Sequence, residues 1–127
     1  MSDLPENLKY AKTHEWSKLE DENVVRIGIT DFAQEELGDL VYIELPEIGK
    51  QVNAGAQCAV VESVKTASDL FSPVTGTVVA VNETVMDAPE KVNDEPYDTW
   101  LFCIKADKPA ELDSLMDAVA YQQMVDE

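Results

Sequence analysis

Brief β-branched and apolar runs, each stopped by turn-forming residues, recur along most of this chain and restrict it to a fold built mainly from short strands. Tyr10 to Leu19 and Asn23 to Thr30 form the first two, joined at the polar Glu20-Asp21-Glu22-Asn23. In the second, Val25, Ile27 and Ile29 alternate with Val24, Arg26 and Gly28, so one face is apolar. Thr30 is placed to cap a short helix from Asp31 to Leu37, with Asp31 complementing the helix dipole and Gly38 supplying a left-handed stop. A strand pattern resumes from Asp39 to Leu45 and ends at Pro46-Glu47-Ile48-Gly49, and Asn53-Ala54-Gly55 makes another turn. A loop holding Pro89 and Pro96 spans Asn82 to Asp98, and a last strand covers Thr99 to Lys105. After Lys108-Pro109 the period changes. Leu112, Leu115, Met116 and Val119 recur at helical spacing, which predicts a C-terminal helical segment packed on an all-β barrel or sandwich.

One lysine stands out against this frame. The run Cys58-Ala59-Val60-Val61 climbs to Glu62-Ser63-Val64-Lys65-Thr66, and a second β-branched run, Gly76-Thr77-Val78-Val79-Ala80-Val81, leaves soon afterwards. Lys65 is therefore expected at a hairpin tip, with its flanking strands fixing the backbone and its four-carbon stem projecting into water. The plain alternative is a surface lysine kept for solubility. Only nine Lys and Arg stand against 26 Asp and Glu, and Lys65 is isolated in a stretch otherwise uncharged between Glu62 and Asp69, so solubility does not require it. A lysine presented for covalent modification fits the placement better.

Composition narrows the function classes. A formal charge of −17 argues against phosphate backbones and anionic membranes, where association depends on Lys and Arg displacing counterions. The acid is spread along the chain, which reads as a solvated surface or as steering toward basic docking faces. The 127 residues fit one domain. Cys58 and Cys103 both lie in apolar strand-like runs and read as buried, reduced thiols. Neither they nor the single His14 show metal-ligand spacing, no nucleophile and base constellation is present, and no apolar run approaches the length of a membrane span. Met1-Ser2-Asp3-Leu4-Pro5-Glu6 is too acidic for a transit peptide, so the expected location is the bacterial cytoplasm, with a processed mitochondrial form as the alternative.

The lysine run resembles the modification site of the H protein of the glycine cleavage system, in which a lysine in Glu-Ser-Val-Lys carries lipoic acid as an amide. Glu62 and Gly76 match that family's glutamate and glycine on either side of the lysine. The resemblance extends through Tyr10-Ala11-Lys12-Thr13-His14-Glu15-Trp16, Gly28-Ile29-Thr30-Asp31-Phe32-Ala33-Gln34, Leu37-Gly38-Asp39-Leu40-Val41, Leu45-Pro46-Glu47-Ile48-Gly49 and Val92-Asn93-Asp94-Glu95-Pro96-Tyr97, in family order. It implies the flattened barrel-sandwich hybrid of lipoyl and biotinyl domains, with a hybrid-barrel core over residues 1–105 and a helical extension over 106–127. One departure follows Tyr97: the family's glycine-containing linker is reduced to Asp98-Thr99 before Trp100, which puts the local loop geometry in question.

The resemblance also implies a mechanism. The pyridoxal-phosphate enzyme glycine decarboxylase (P protein) places an aminomethyl group on a lipoyl sulfur, the aminomethyltransferase (T protein) passes the carbon to tetrahydrofolate, and dihydrolipoyl dehydrogenase (L protein) reoxidises the dithiol. The chain would then be a carrier, not an enzyme. Lys65 would be loaded by lipoate-attaching enzymes, Glu62 would serve recognition and Gly76 strand geometry, and Glu15 and Asp69 would line a cleft that shelters the loaded arm. Rival readings remain beside this one. Biotin carriers use the same barrel but flank their lysine with methionines, where Val64 and Thr66 stand here; lipoyl domains of 2-oxoacid dehydrogenases read Asp-Lys-Ala at the tip of a longer chain. A lipoyl-relay or regulatory adaptor of the H-protein family would share every motif above.

Overall fold

The computed structural model describes residues 5–126, so the acidic start Met1 to Leu4 weighed above lies outside the described residues, as does Glu127. In chain order the elements are β1 (Lys9–Tyr10), β2 (Glu15–Leu19), β3 (Val24–Ile29), α1 (Asp31–Leu37), β4 (Leu40–Glu44), β5 (Gln51–Val52), β6 (Gln57–Ser63), β7 (Ala67–Phe71), β8 (Gly76–Val81), α2 (Thr84–Asp87), α3 (Glu90–Asp94), β9 (Phe102–Ala106) and α4 (Ala118–Asp126), with 3-10 turns at Asp21–Asn23 and Pro109–Ser114. The strands form two antiparallel sheets that do not close on each other, one ordered β1-β2-β3-β9-β8-β5 and the other β4-β6-β7.

Alternation explains why both sheets bury one face. Val25 and Ile27 of β3, Ile43 of β4, Val61 of β6, Val78 of β8 and Ile104 of β9 are all fully buried in one shared apolar cluster. Each such side chain contributes roughly 1.5–3 kcal/mol of burial free energy. In the smaller sheet, Ile43 and Val61 share an inward row, whereas the adjacent row Tyr42, Glu62 and Ala67 is exposed. Helix α1 forms as its sequence dictates, the Thr30 side chain accepting from the Ala33 N–H and Gly38 ending it at φ 84°. Gly76 is required by crowding: a Cβ there would stand 2.1 Å from the Lys105 carbonyl oxygen on β9.

Three expectations need correction. The return strand of the lysine hairpin is β7, which pairs with β6 from Glu62↔Ala67 to Gln57↔Phe71, whereas Gly76–Val81 belongs to the other sheet beside β5 and β9. Ala67-Ser68-Asp69 is too polar to announce a strand, because its outer face is solvent and only Leu70 is fully turned inward. Second, the stretch from Asn82 to Asp98 contains α2 and α3, each nailed to the core by one valine, Val85 and Val92. One buried residue in a single turn leaves no periodic signal. Third, the C-terminal stripe is not one helix. Leu112 is buried in a 3-10 turn, Met116 exchanges backbone hydrogen bonds with Tyr10 at 2.8 and 2.9 Å, and in α4 the inward residues are Ala118 and Tyr121 while Val119 is 66% exposed.

Helix α4 closes a second apolar cluster with Leu8, Tyr10 and Trp16, in which Tyr121 stacks on Tyr10 with centroids 4.9 Å apart. The Tyr121 hydroxyl meets His14 Nδ1 at 2.6 Å and Thr30 Oγ1 at 2.7 Å, so His14 acts here as a structural hydrogen-bonding group. The shortened Asp98-Thr99 segment is tied down, with the Asp98 N–H donating to the Glu95 carbonyl at 3.1 Å and the Thr99 hydroxyl to the Lys91 carbonyl at 3.2 Å. Cys58 and Cys103 are buried and unpaired, and burial pushes the Cys58 thiol up to about 12. Among the described residues no helix is long and apolar enough to cross a membrane.

Candidate functional site

Strands β6 and β7 are joined by Val64-Lys65-Thr66, all exposed, with Val64 71% so. The turn is held by Ser63. Its N–H donates to the Thr66 carbonyl at 2.7 Å, and its hydroxyl oxygen accepts from the N–H groups of Lys65 and Thr66 at 3.3 and 3.1 Å. A third support comes from outside the hairpin, where the Val64 N–H donates to the Asp39 carbonyl at 3.1 Å. The amine of Lys65 thus projects from a backbone that is fixed on both sides. Ser63 escaped the sequence reading, although a serine two residues before a hairpin lysine is a side-chain turn signal. Glu62 is exposed, opposite Tyr42 on one side and Ala67 on the other.

Glu15 occupies a different setting. It is fully buried on β2, its Oε1 accepting from the Thr13 hydroxyl and its Oε2 from the Phe71 N–H at 3.0 Å. Burial pushes its carboxyl above the ordinary carboxylate range, and the hydrogen bonds from Thr13 and Phe71 pull it partly back. Glu15 is one of the residues bordering an open cleft of about 320 Å³, together with Thr13, Gly55, Phe71, Pro73 and Leu115. Asp69 is not among the lining residues. It is exposed on β7 two positions before Phe71, opposite Val60, and so shares a strand face with Phe71. Gly76 lies away from the lysine turn, between Val52 and Ala106 in the larger sheet.

The geometry suits a flexible acylated lysine. The five residues of β7 run from the turn to the cleft over about 13 Å at 3.3 Å per step. A lysine stem lengthened by an eight-carbon acyl chain reaches about 16 Å from its Cα at about 1.25 Å of advance per bond. The cleft offers apolar wall from Phe71, Pro73 and Leu115 and is bordered by buried Glu15, whose carboxyl oxygens are acceptors of the kind that an apolar arm ending in an ammonium group needs. A separate cavity of about 260 Å³, lined by Trp16, Lys18, Arg26, Tyr97 and Trp100, offers two cations, but both are matched by Glu20 at 3.9 and 3.2 Å. Among the described residues no group of His, Cys, Asp and Glu converges to hold a metal ion.

Comparison with known proteins shows the family. Residues 8–127 match the family model described as Glycine cleavage H-protein. The chain is 56% identical to a glycine cleavage system H protein of Methylococcus capsulatus over the full length of both, and 55% identical to glycine cleavage system H protein 2 of Pseudomonas aeruginosa over 99% of this chain and 98% of that one. A crystal structure of a glycine cleavage system H protein from Mycobacterium marinum superposes with a TM-score of 0.90 at 37% identity, covering 98% of this chain and all of that one. A flattened two-sheet fold shared nearly end to end, and a family match from residue 8 to residue 127, establish that the chain belongs to the glycine cleavage H-protein family.

Proposed function

We propose that this chain is the lipoyl-bearing carrier of a glycine cleavage system, with lipoic acid attached as an amide to Lys65 and with no turnover of its own. It would take the aminomethyl group of glycine from the pyridoxal-phosphate-dependent glycine decarboxylase (P protein), deliver it to the tetrahydrofolate-dependent aminomethyltransferase (T protein), and be reoxidised by dihydrolipoyl dehydrogenase (L protein). The observation that carries this reading is an exposed lysine on a braced turn, joined by one strand to a cleft bordered by buried Glu15.

The lipoyl group supplies the dithiol chemistry when bound, and the chain supplies placement. Ser63 and Asp39 fix the turn from which the Lys65 amine would attack the carbonyl carbon of an activated lipoyl donor, losing its proton as the amide forms and the activating group leaves. Glu62, exposed three residues before the lysine, is assigned to recognition by the attaching enzyme. Gly76 lets β8 lie close against β9 and so sets the sheet behind the cleft loops. Glu15, and Asp69 from the adjoining strand face, are assigned to pairing with the ammonium group of the cargo, while Phe71 and Leu115 exclude water. Residues 1–127 act in this reading as one carrier unit, a core of 1–105 with 106–127 packed on it, working in the cytoplasm as its bacterial relatives suggest.

Intact mass after expression with lipoate tests the assignment. The parent chain gains one lipoyl increment, Lys65→Arg gains none at an unchanged circular-dichroism spectrum, and glycine-dependent bicarbonate exchange with glycine decarboxylase is supported by the modified parent alone. A lipoyl increment on Lys65→Arg would reject Lys65.

A further inference from the structure

The carbonyl that braces the lysine turn belongs to Asp39, in the two-residue link between α1 and β4. That link is itself held by one side chain. Asn93, on α3, donates from Nδ2 to the Gly38 carbonyl at 2.9 Å and to Gln34 Oε1 at 2.9 Å, and its Oδ1 accepts from the Leu40 N–H at 2.9 Å. Both amide protons and the carbonyl oxygen are engaged, so the side chain grips the residues immediately before and after Asp39. Gly38 also borders the lysine stem, since a Cβ on it would lie 3.5 Å from Lys65 Cε.

We propose that Asn93 is a positioning residue for the attachment site: it fixes the Gly38–Leu40 link, and through the Asp39 carbonyl the link fixes the Val64-Lys65-Thr66 turn. The inference rests on Lys65 being the acylated residue and adds a residue from a distant segment to the site. Helix α3 is otherwise anchored through Val92, on the core side, so the two neighbouring residues divide the work between packing and bracing. Asn93→Asp keeps the size and the acceptor for Leu40 but sets a carboxylate oxygen against the Gly38 carbonyl and Gln34 Oε1; Asn93→Ala removes all three bonds. Val92→Ala lowers stability and leaves the brace.

The full chain and these three variants are compared in two assays at a temperature well below every unfolding midpoint. In the first, a lipoate ligase with lipoate and ATP acylates Lys65, followed by intact mass. Both Asn93 variants are expected to show KM for the carrier raised about tenfold with kcat nearly unchanged, the mark of lost pre-organisation, while Val92→Ala matches the parent. In the second, amide exchange of unmodified protein is expected to accelerate at Val64 in both Asn93 variants and at Leu40 in Asn93→Ala, and at neither position in Val92→Ala. Asn93 variants that keep parental KM and parental exchange at Val64, or a Val92→Ala variant that reproduces their effects, would overturn the proposal. A parent that is never acylated would overturn the carrier reading instead, and the exchange assay would still decide whether Asn93 braces the turn.

Discussion

Glu15 carries a cost that its neighbours only partly offset. A carboxyl whose folded pKa is raised binds its proton more readily in the folded chain, so its contribution to stability is full below the unfolded value of 4.5 and is lost as pH rises through the folded value. Glu15→Gln is therefore expected to be more stable than the parent at pH 7, with the difference shrinking toward zero as pH falls below 4.5, measured by urea unfolding across that range. In the proposed carrier role the same variant should shed a bound aminomethyl group faster, because the amide has no charge to pair with an ammonium ion. His14 behaves oppositely. Burial, against an opposing pull from Glu36, holds its imidazole below the ordinary 6.5. Its contribution is complete above 6.5 and declines as pH falls from there to the folded value, with a slope of at most about 1.4 kcal/mol per pH unit. His14→Asn, which tolerates the local φ of 76°, should flatten that part of the stability profile. The position of Lys65 at a hairpin tip was legible because it interrupts a pattern, an isolated cation in an acidic chain at the end of an apolar run, whereas Glu62 was marked only by the family resemblance. Asp39 and Asn93 were not, since Asp39 acts through a backbone carbonyl that no residue alphabet displays and Asn93 reaches the link from a distant segment.

Among the elements, the segment after β9 contributes one residue to the cleft wall. Glu111 in the 3-10 turn accepts from the Thr75 N–H at 2.7 Å and its hydroxyl at 3.1 Å, and Leu115, four residues on, forms part of the cleft wall. Glu111→Ala leaves the Thr75 N–H unpaired and is expected to lower the unfolding free energy by about 1–3 kcal/mol, read from the shift in urea midpoint at constant slope. The sequence announced strands whose faces alternate, such as Val25-Arg26-Ile27, and the helix whose cap and stop are both chemically marked, Thr30 and Gly38. It concealed β7, whose outer residues are polar, and α2 and α3, whose contact with the core is a single valine each. A helical period fitted across the 3-10 turn and α4 placed Val119 inward, because a break at Leu115-Met116 resets the phase.

At the scale of the whole molecule, a net charge of −17 acts beyond any one contact. Association with a basic docking face should be fast at low salt and slow as ionic strength rises, since the Debye length shrinks from about 30 Å at 0.01 M to about 8 Å at 0.15 M. Stopped-flow association with glycine decarboxylase over that range would show it; an on-rate indifferent to salt would mean that the charge serves solubility alone. The antiparallel pairing of β6 with β7 has one further consequence. Because β7 begins at the lysine turn and ends at the Phe71 N–H that donates to Glu15, the hairpin would, in the proposed carrier role, act as a ruler for an acyl tether on Lys65. Two residues added to each strand would carry the anchor about 7 Å farther out. A tether of unchanged length would then sweep solvent and partner surfaces but fall short of its own harbour.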